Sequence, residues 1–350
     1  MTVLLVSPAF LVPWMRYTTA ALRRLGHRVV QFTGSNPALD FLTERQGRKF
    51  LEKWPIGGPV ADEVRRLWLE ARDRRLLRLA KISRPDLTLV LRGETIPAAT
   101  LQEIRRITRK PLVTWWLDNP FRFEVKDRLP LFDQFFVFDR SYIPELKAAG
   151  APSVHFLPCC CDERVYRPLK LTALQTKRFA SEVAFVAWYG PGRDRIVKTL
   201  EPFDLKVWGR GWNSSEARAA LNGASRRIVA PETYVSDRTA ARIYNAAQIG
   251  LNVHNPQSRL GGVNARAFEL LSCGTFQLSD HVEGMEELLE PGKELEVYRS
   301  PEEAKEKTSY YLRNPARRRE IAQKGRERVL AEHTYLHRVR KLLKITLESR

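Results

Sequence analysis

Short apolar segments alternate with helical patterns along most of this chain of 350 residues. TVLLVS at residues 2–7 predicts a buried strand, a helical pattern follows at residues 16–25, and HRVVQFT at residues 27–33 predicts a second strand. Consecutive parallel strands need a long crossover, which is usually a helix. The opening therefore predicts a βαβ unit, and its repetition restricts the chain to the α/β class.

The alternation continues through the first half of the chain. Strands are predicted at residues 85–93, 111–118, 134–139 and 154–158, and helices at residues 61–82, 98–109 and 141–150. Strands that alternate with helices over this length are typical of a doubly wound parallel sheet. We expect residues 1–165 to form one Rossmann-like domain.

A polar segment at residues 166–181 has no strand pattern and is predicted to link two domains. After it, strands are predicted at residues 182–190, 204–212, 227–229, 249–254 and 275–280, and helices at 193–200, 236–246, 265–273, 285–289, 301–313 and in the tail from 315. This series predicts a second Rossmann-like domain at residues 182–325. Because ligands of such sheets bind at the carboxyl ends of the strands, the expected ligand site is a cleft where the two domains face each other.

The formal charge of +19 permits binding of a polyanion but does not identify it. The excess is +11 in residues 1–170 and +8 in residues 171–350, so no basic tail carries it. Its densest stretch is the predicted helix at residues 61–82, which is either docked on its own domain or turned toward an anionic membrane or acceptor. Because no nucleic-acid reader motif is present, dedicated nucleic-acid binding is not expected.

The apolar runs and the cysteines exclude other classes of protein. No run approaches the roughly 20 apolar residues of a membrane-spanning helix, and the N-terminus lacks the basic lead-in of a secretory signal. The four cysteines, at residues 159–161 and 273, lack the spacing of a disulfide framework or a zinc site. We expect a cytoplasmic protein, and a peripheral position at the membrane surface is left open.

The segment GGVNARAFELLSCGTFQLSD at residues 261–280 holds the richest group of polar residues. Its glycines precede a predicted helix whose first turn carries Asn264 and Arg266. The free N–H groups and positive dipole end of a helix suit a phosphate, to which Arg266 adds a charge. Glu269 lies on the same helical face, where its carboxylate could accept hydrogen bonds from sugar hydroxyls. From the residues alone, a surface pair of Arg266 and Glu269 explains the pattern equally well.

Several motifs resemble those of a known family. The segment at residues 261–295, with LPCCCDERVYRP at 157–168, VAFVAWYGPGRDR at 183–195 and EHTYLHR at 332–338, resembles the GT-B glycosyltransferases and, within them, the CgeB-type group. In the first half the resemblance depends mainly on TWWLDNP at residues 114–120. It implies two facing Rossmann-like domains, a nucleotide sugar in the C-terminal one, and a terminal helix at residues 326–350 that returns to the N-terminal domain. It also implies that Glu269 binds the donor ribose.

Two positions depart from the pattern of related transferases. Many retaining members have a second glutamate eight positions before the ribose-binding one, and this chain has Gly261 there. The contact to the transferred sugar, the stereochemical outcome and the activity itself are thereby left open. Cysteines at residues 159–161 replace the asparagine and glycine that are usual before the domain crossover, and we assign no functional role to them.

Other donor-site candidates lie at strand ends of the second half: Gly190, Arg193, Arg195, Arg210, Asn252 and His254. The glycine-containing loop at residues 189–195 could present backbone N–H groups and arginines to a diphosphate. Arg210, in the turn WGRGW, could neutralise the leaving diphosphate. The structural alternatives are an exposed basic helix start, a tight turn between packing tryptophans, and a histidine that serves the core.

In the first half, Asp118 ends the strand TWWLD on the carboxyl side of the predicted sheet. An inverting transferase needs a base that removes the proton of the acceptor hydroxyl, and a carboxylate can do this. Asp118 is therefore a candidate base or acceptor contact, with a turn-capping role as the alternative. Arg92 and Glu94, after the strand at residues 85–93, are expected at the same rim, where they could contact the acceptor.

These observations predict a glycosyltransferase that moves a sugar from a nucleoside diphosphate sugar to an unknown glycan, protein or lipid-linked acceptor. The chain has no Asp-x-Asp metal triplet, zinc spacing, nucleophile elbow or Walker loop, so we expect metal-independent chemistry with no further cofactor. The alternatives are a non-catalytic GT-B protein that binds nucleotide or sugar, a GT-B epimerase, and a protein that binds anionic polymers through its charge.

Overall fold

The computed structural model describes residues 1–8, 12–34, 57–190, 192–221 and 235–348. The strand predicted at residues 227–229 lies outside them. The chain divides into two compact units, the first of Met1–Val137, Ser141–Leu157 and Val339–Arg350, and the second of Phe138–Arg140 and Pro158–Arg338. No helix in the described ranges is long and apolar enough to cross a membrane.

The first unit is built on six parallel strands in the order β2-β1-β3-β4-β5-β6. Strands β1 to β6 are Thr2–Ser7, Arg28–Thr33, Leu87–Leu91, Leu112–Trp116, Gln134–Val137 and Val154–Phe156. Helices α1 to α4 are Val12–Arg24, Gly57–Ser83, Ala98–Thr108 and Tyr142–Ala148, and 3-10 turns cover Pro120–Arg122 and Leu129–Leu131. The parallel α/β architecture predicted from the first half is confirmed.

The core of the first unit lies along its central strands. Every residue of β3, β4 and β5 is buried, which is why these strands are apolar runs and do not alternate. Trp14 of α1 packs edge-on against Trp115 of β4 with ring centroids 5.3 Å apart. The strands are thus held rigidly, and the loops at their ends are free to carry function.

Within its described residues, the second unit has five parallel strands in the order β11-β10-β9-β7-β8. Strands β7 to β11 are Ser181–Val186, Leu205–Trp208, Ala247–Asn252, Gln277–Asp280 and Glu296–Tyr298. Helices α5 to α12 are Ala173–Phe179, Arg193–Thr199, Ser215–Ala220, Asp237–Ala246, Ala265–Ser272, Pro301–Arg313, Pro315–Glu332 and Tyr335–Glu348, and a 3-10 turn covers Met285–Glu287. The second parallel α/β series is likewise confirmed.

Three short elements of the second unit differ from the prediction. Helix α5 lies inside the segment predicted as a linker, where Thr172 and Gln175 form a capping box at its start. The spacing Thr-x-x-Gln is a signal for such a helix start. Helix α7 and the three-residue strand β11 are too short to give a periodic pattern. The predicted domain boundaries and the return of the terminal helix remain predictions.

Candidate functional site

The strand order of the second unit creates a crevice at the carboxyl ends of β7 and β9. From β7 the chain passes first to β8 on one side and later to β9 on the other. Loops that leave neighbouring parallel strands in opposite directions leave a crevice between them, which is the usual ligand position in such sheets. The predicted donor-site residues of this unit follow these strands.

Asn252, the last residue of β9, is the centre of a hydrogen-bond network. Its Oδ1 accepts from Asn264 Nδ2 at 3.0 Å and from an Arg266 guanidinium nitrogen at 2.9 Å. Its Nδ2 donates to Ser279 Oγ on the neighbouring strand β10 at 3.2 Å. The side chain is fully buried, so the network fixes the start of α9 against the ends of β9 and β10.

Arg266 joins the ends of β7 and β9. Its Nε donates to the carbonyl oxygen of Val186 at 2.7 Å, and a second nitrogen donates to the carbonyl oxygen of Val253 at 3.3 Å. Its guanidinium carbon lies 5.4 Å from the ring centroid of Phe185. These contacts do not involve Glu269, so the surface-pair alternative does not describe Arg266 here.

Arg193 is buried and holds two loops together. It donates to the carbonyl oxygens of Trp188 at 2.6 Å and Val253 at 3.2 Å, and to Asn255 Oδ1 at 2.8 Å. Burial, followed by the nearby charge of Arg266, lowers the pKa of Arg193 to about 10. Arg193, which the sequence predicts to bind the diphosphate, is therefore a buried cation that cross-links the loops after β7 and β9.

The start of α9 is shaped by its cap and by the preceding glycines. Asn264 Oδ1 accepts from Ala267 N at 3.1 Å and so caps the helix. Gly261 has a φ of 69°, where a glutamate side chain would be strained. A Cβ on Gly262 would lie 2.1 Å from Asp139 Oδ2. The backbone of this loop thus disfavours the glutamate that many retaining transferases carry.

His254 follows β9 and is oriented by Asp280 at the end of β10. Its Nδ1 lies 2.6 Å from Asp280 Oδ1, and its backbone N–H donates to both oxygens of that carboxylate at 2.9 and 3.0 Å. The histidine is 7% exposed, and its Nε2 has no hydrogen-bond partner among the described residues. His254 thus keeps one ring nitrogen unused beside the Asn252 network.

Glu269 lies one turn further along α9. Burial, followed by the charge of Asp237, raises its pKa to about 7, while Arg266 and a hydrogen bond with Tyr166 act in the opposite direction. Near neutral pH this carboxyl is therefore present in both its protonated and its ionised form. As a carboxylate it accepts hydrogen bonds from hydroxyl groups, which is the chemistry implied for a ribose ligand.

The other predicted donor residues make no side-chain contact with this network. Gly190 accepts a hydrogen bond from Arg193 N at 3.2 Å through its carbonyl oxygen. Arg195 on α6 and Arg210 after β8 are exposed. In the turn that carries Arg210, Trp208 and Trp212 are buried, as the structural alternative predicted.

Asp118 lies near the carboxyl end of β4 in the first unit. Its carboxylate is 3.4 Å from a nitrogen of Arg92 and 3.6 Å from one of Arg122. The 3-10 turn that follows is capped by Asn119, whose side chain accepts from Phe121 N. The turn-capping role that was the alternative prediction for Asp118 is therefore filled by Asn119.

Sequence reasoning missed two residues beside the donor-side network. Asp280 orients His254. The sequence could have indicated this residue, because Asp280 is a polar residue at the end of β10, which is the neighbour of β9. Trp188 is 69% exposed although its carbonyl is fixed by Arg193. An exposed indole on a fixed loop gives no sequence signal, since tryptophan in an apolar segment predicts burial.

Part of the chain matches a known protein family. Residues 193–344 match a family model described as "Glycosyl transferase-like". The chain is 22% identical over 251 residues to the spore protein CgeB of Bacillus subtilis (strain 168). The aligned region covers 68% of this chain and 75% of that protein. The resemblance to the CgeB-type group is thus confirmed.

Solved structures share the fold over the whole chain. The Anabaena Alr3699/HepE protein, solved with UDP and glucose, is 13% identical at a TM-score of 0.68, with all of both chains covered. Sucrose-phosphate synthase from Thermosynechococcus elongatus is 13% identical at a TM-score of 0.70, covering 99% of this chain and 98% of that one. Residues 193–344 therefore resemble a glycosyl transferase-like family, in a chain with the fold of the GT-B glycosyltransferases.

Proposed function

We propose that the protein transfers a sugar from a nucleoside diphosphate sugar to an acceptor hydroxyl, and that the second unit binds the donor. The network of Asn252, Asn264 and Arg266 carries this proposal, because it fixes the start of α9 at the crevice between β7 and β9. The Anabaena Alr3699/HepE protein, which has the same fold, was crystallised with UDP and with UDP-glucose. A uridine nucleotide is therefore the first donor to test.

The diphosphate, the ribose and the base of the donor are each assigned to side chains of suitable chemistry. The diphosphate is placed at the start of α9, where helix N–H groups and the Arg266 guanidinium favour an anion. The exposed Arg195 and Arg210 are proposed to neutralise the leaving diphosphate, which makes a metal ion unnecessary. Glu269 is proposed to bind the ribose hydroxyls, and the exposed ring of Trp188 to stack on the base.

Calorimetry with UDP and UDP-glucose tests the donor site. We expect Arg266→Ala and Glu269→Ala each to weaken binding at least about tenfold, because a hydrogen bond to a charged group contributes roughly 1.5–3 kcal/mol. Trp188→Ala should cost a similar factor, since stacking contributes roughly 1–3 kcal/mol per base. Asp118→Ala lies in the first unit and should bind UDP like wild type. Equal affinities in all of these proteins, or no binding of any nucleotide by wild type, would remove the assignment.

A non-catalytic nucleotide-binding protein is the second candidate. Gly261 favours it, because its left-handed backbone opposes the glutamate that contacts the transferred sugar in many retaining relatives. Such a protein would bind UDP but release none from UDP-sugars. Measuring UDP release beside UDP affinity separates the two candidates.

For the acceptor, the proposal places Asp118 of the first unit as a contact or base. The outward side of α2 offers peripheral contact with an anionic membrane, because exposed cations and apolar side chains share it. Such a contact would suit a lipid-linked acceptor and a cytoplasmic enzyme.

A further inference from the structure

The loop after β3 has an unusual backbone. Arg92 has a φ of 68° and Gly93 a φ of 110°, so two consecutive residues are left-handed and one of them is not a glycine. Arg92 is held there because its N–H donates to the carbonyl oxygen of Trp115 at 2.9 Å and its own carbonyl accepts from Thr114 Oγ1 at 2.7 Å. Non-glycine residues in this region are uncommon, and they concentrate at functional sites.

This backbone places Glu94 beside the Arg92 guanidinium. Glu94 Oε1 lies 2.7 Å from an Arg92 nitrogen, and the glutamate side chain is 8% exposed. Its other oxygen, Oε2, is buried and has no hydrogen-bond partner among the described residues. Burial raises the pKa of Glu94, although Arg92 and the backbone N–H groups of Gly93 and Glu94 oppose the shift. A buried carboxylate oxygen without a partner is costly, so a ligand or proton at Oε2 would relieve it.

Arg92 joins Glu94 to Asp118, and the two carboxylates differ in their surroundings. Asp118 is 24% exposed and faces two guanidinium groups, those of Arg92 and Arg122. Glu94 faces Arg92 alone, whose guanidinium carbon also lies 4.4 Å from the ring centroid of Phe123. Two neighbouring carboxyl groups in unequal environments are a common arrangement for dividing proton transfer from charge stabilisation.

Two arginines hold the loop that carries Glu94. Arg72 of α2 is 7% exposed and donates to the carbonyl oxygen of Thr95 at 2.7 Å. Arg128 donates to the carbonyl oxygen of Ile96 at 2.7 Å. A loop fixed at two carbonyl groups gives its carboxylate a defined position, on which proton transfer depends.

We propose that Glu94, through its Oε2, is the base that receives the proton of the acceptor hydroxyl, and that Asp118 positions Arg92 and the acceptor. This inference rests on the proposed function. It moves the role of base from Asp118 to Glu94, whose Oε2 has no hydrogen-bond partner among the described residues.

The step balances without a further reagent. The acceptor O–H proton passes to Glu94 Oε2 as the acceptor oxygen forms a bond to the anomeric carbon of the donor sugar. The bond from that carbon to the diphosphate oxygen breaks, and its electron pair leaves on the nucleoside diphosphate. Glu94 later releases the proton to solvent, which restores the carboxylate.

UDP release from UDP-glucose, with water or a pooled panel of oligosaccharides as acceptor, tests the proposal. Glu94→Gln keeps the shape of the side chain and an oxygen for Arg92 but cannot take a proton. We expect kcat to fall at least about 100-fold, as for loss of a general base, and the acid limb of the pH profile to disappear. UDP affinity should change less than twofold. Glu124→Gln, an exposed carboxyl of the same unit, is the matched control and should resemble wild type.

Each other outcome has a clear reading. If wild type releases UDP and Glu94→Gln retains kcat within threefold with the same pH profile, the role of Glu94 is refuted while donor binding stands. If wild type binds UDP but releases none from UDP-sugars, the non-catalytic candidate is correct and no base is needed. If Glu94→Gln does not fold, as judged by circular dichroism, Glu94→Ala replaces it, and a kcat within threefold of wild type in that folded variant overturns the proposal.

Discussion

At the scale of single residues, Glu269 has the clearest energetic signature. Its pKa of about 7 in the folded chain exceeds the value of about 4.3 for an unfolded glutamate. The folded protein therefore holds this proton more tightly than the unfolded chain. By linkage, the free energy of unfolding falls as pH rises from about 4 to about 7, since folding must then accommodate a buried carboxylate.

Replacing the carboxyl of Glu269 should remove this pH dependence. We expect Glu269→Gln to raise the free energy of unfolding at pH 8 by on the order of 2 kcal/mol and to have little effect at pH 4. Urea unfolding of both proteins across this pH range measures the difference. Glu306→Gln, an exposed carboxyl on α10, is the control. Parallel stability curves for wild type and Glu269→Gln would contradict the buried carboxylate.

At the scale of elements, the motif EHTYLHR is explained by the junction of α11 and α12. Arg338 donates to the carbonyl oxygens of Pro158 at 2.8 Å and Glu332 at 2.9 Å and lies 2.6 Å from His333 Nδ1. His333 Nε2 lies 2.8 Å from the carbonyl oxygen of Leu288. Burial, followed by the Arg338 charge, lowers the pKa of His333 to about 3, so the ring is neutral and accepts from the arginine. The resemblance identified this motif, and its role is to join the start of α12 to the backbone of residues 158 and 159.

Removing the guanidinium should loosen this junction. Arg338→Met leaves several buried carbonyl groups without a donor, and we expect a loss of about 2–4 kcal/mol in the free energy of unfolding. Arg340→Met, at an exposed position two residues later, should change it by less than about 0.5 kcal/mol. Chemical denaturation of the two variants checks this, and equal stabilities would show that the contacts of Arg338 contribute little.

At the scale of the whole molecule, the strands and helices could be predicted from the sequence because they depend on periodicity. The side-chain contacts that join distant segments could not. The runs LTLVL and LVTWW predicted buried parallel strands because every position in them is buried. The cluster of Asn252, Asn264 and Arg266 was predicted because residues after parallel strands meet at one sheet edge. The inward direction of Arg193 and the burial of the Glu94 side chain depend on packing between distant segments, which no local pattern records.

The charge of +19 is also a property of the whole molecule, and the donor site uses only a few of its cations. On α2 the exposed Arg74, Arg78 and Lys81 share one side, within about 100° of the helix circumference at 3.6 residues per turn. The same side exposes Leu67 and Ile82, by 48% and 72%. Exposed cations beside apolar side chains are typical of a helix that lies on an anionic membrane.

Cosedimentation with vesicles measures whether this side of α2 binds lipid. We expect binding to phosphatidylcholine vesicles with 30 mol% phosphatidylglycerol, weakening as salt rises from about 50 to 500 mM because screening shortens the range of the attraction. Arg74→Glu, Arg78→Glu and Lys81→Glu together should abolish it. The same charge change at Arg319, Arg340 and Lys344, exposed on α11 and α12, is the control that separates a defined face from net charge. If both triple variants lose binding equally, the attraction comes from the total charge; if neither does, α2 faces no membrane.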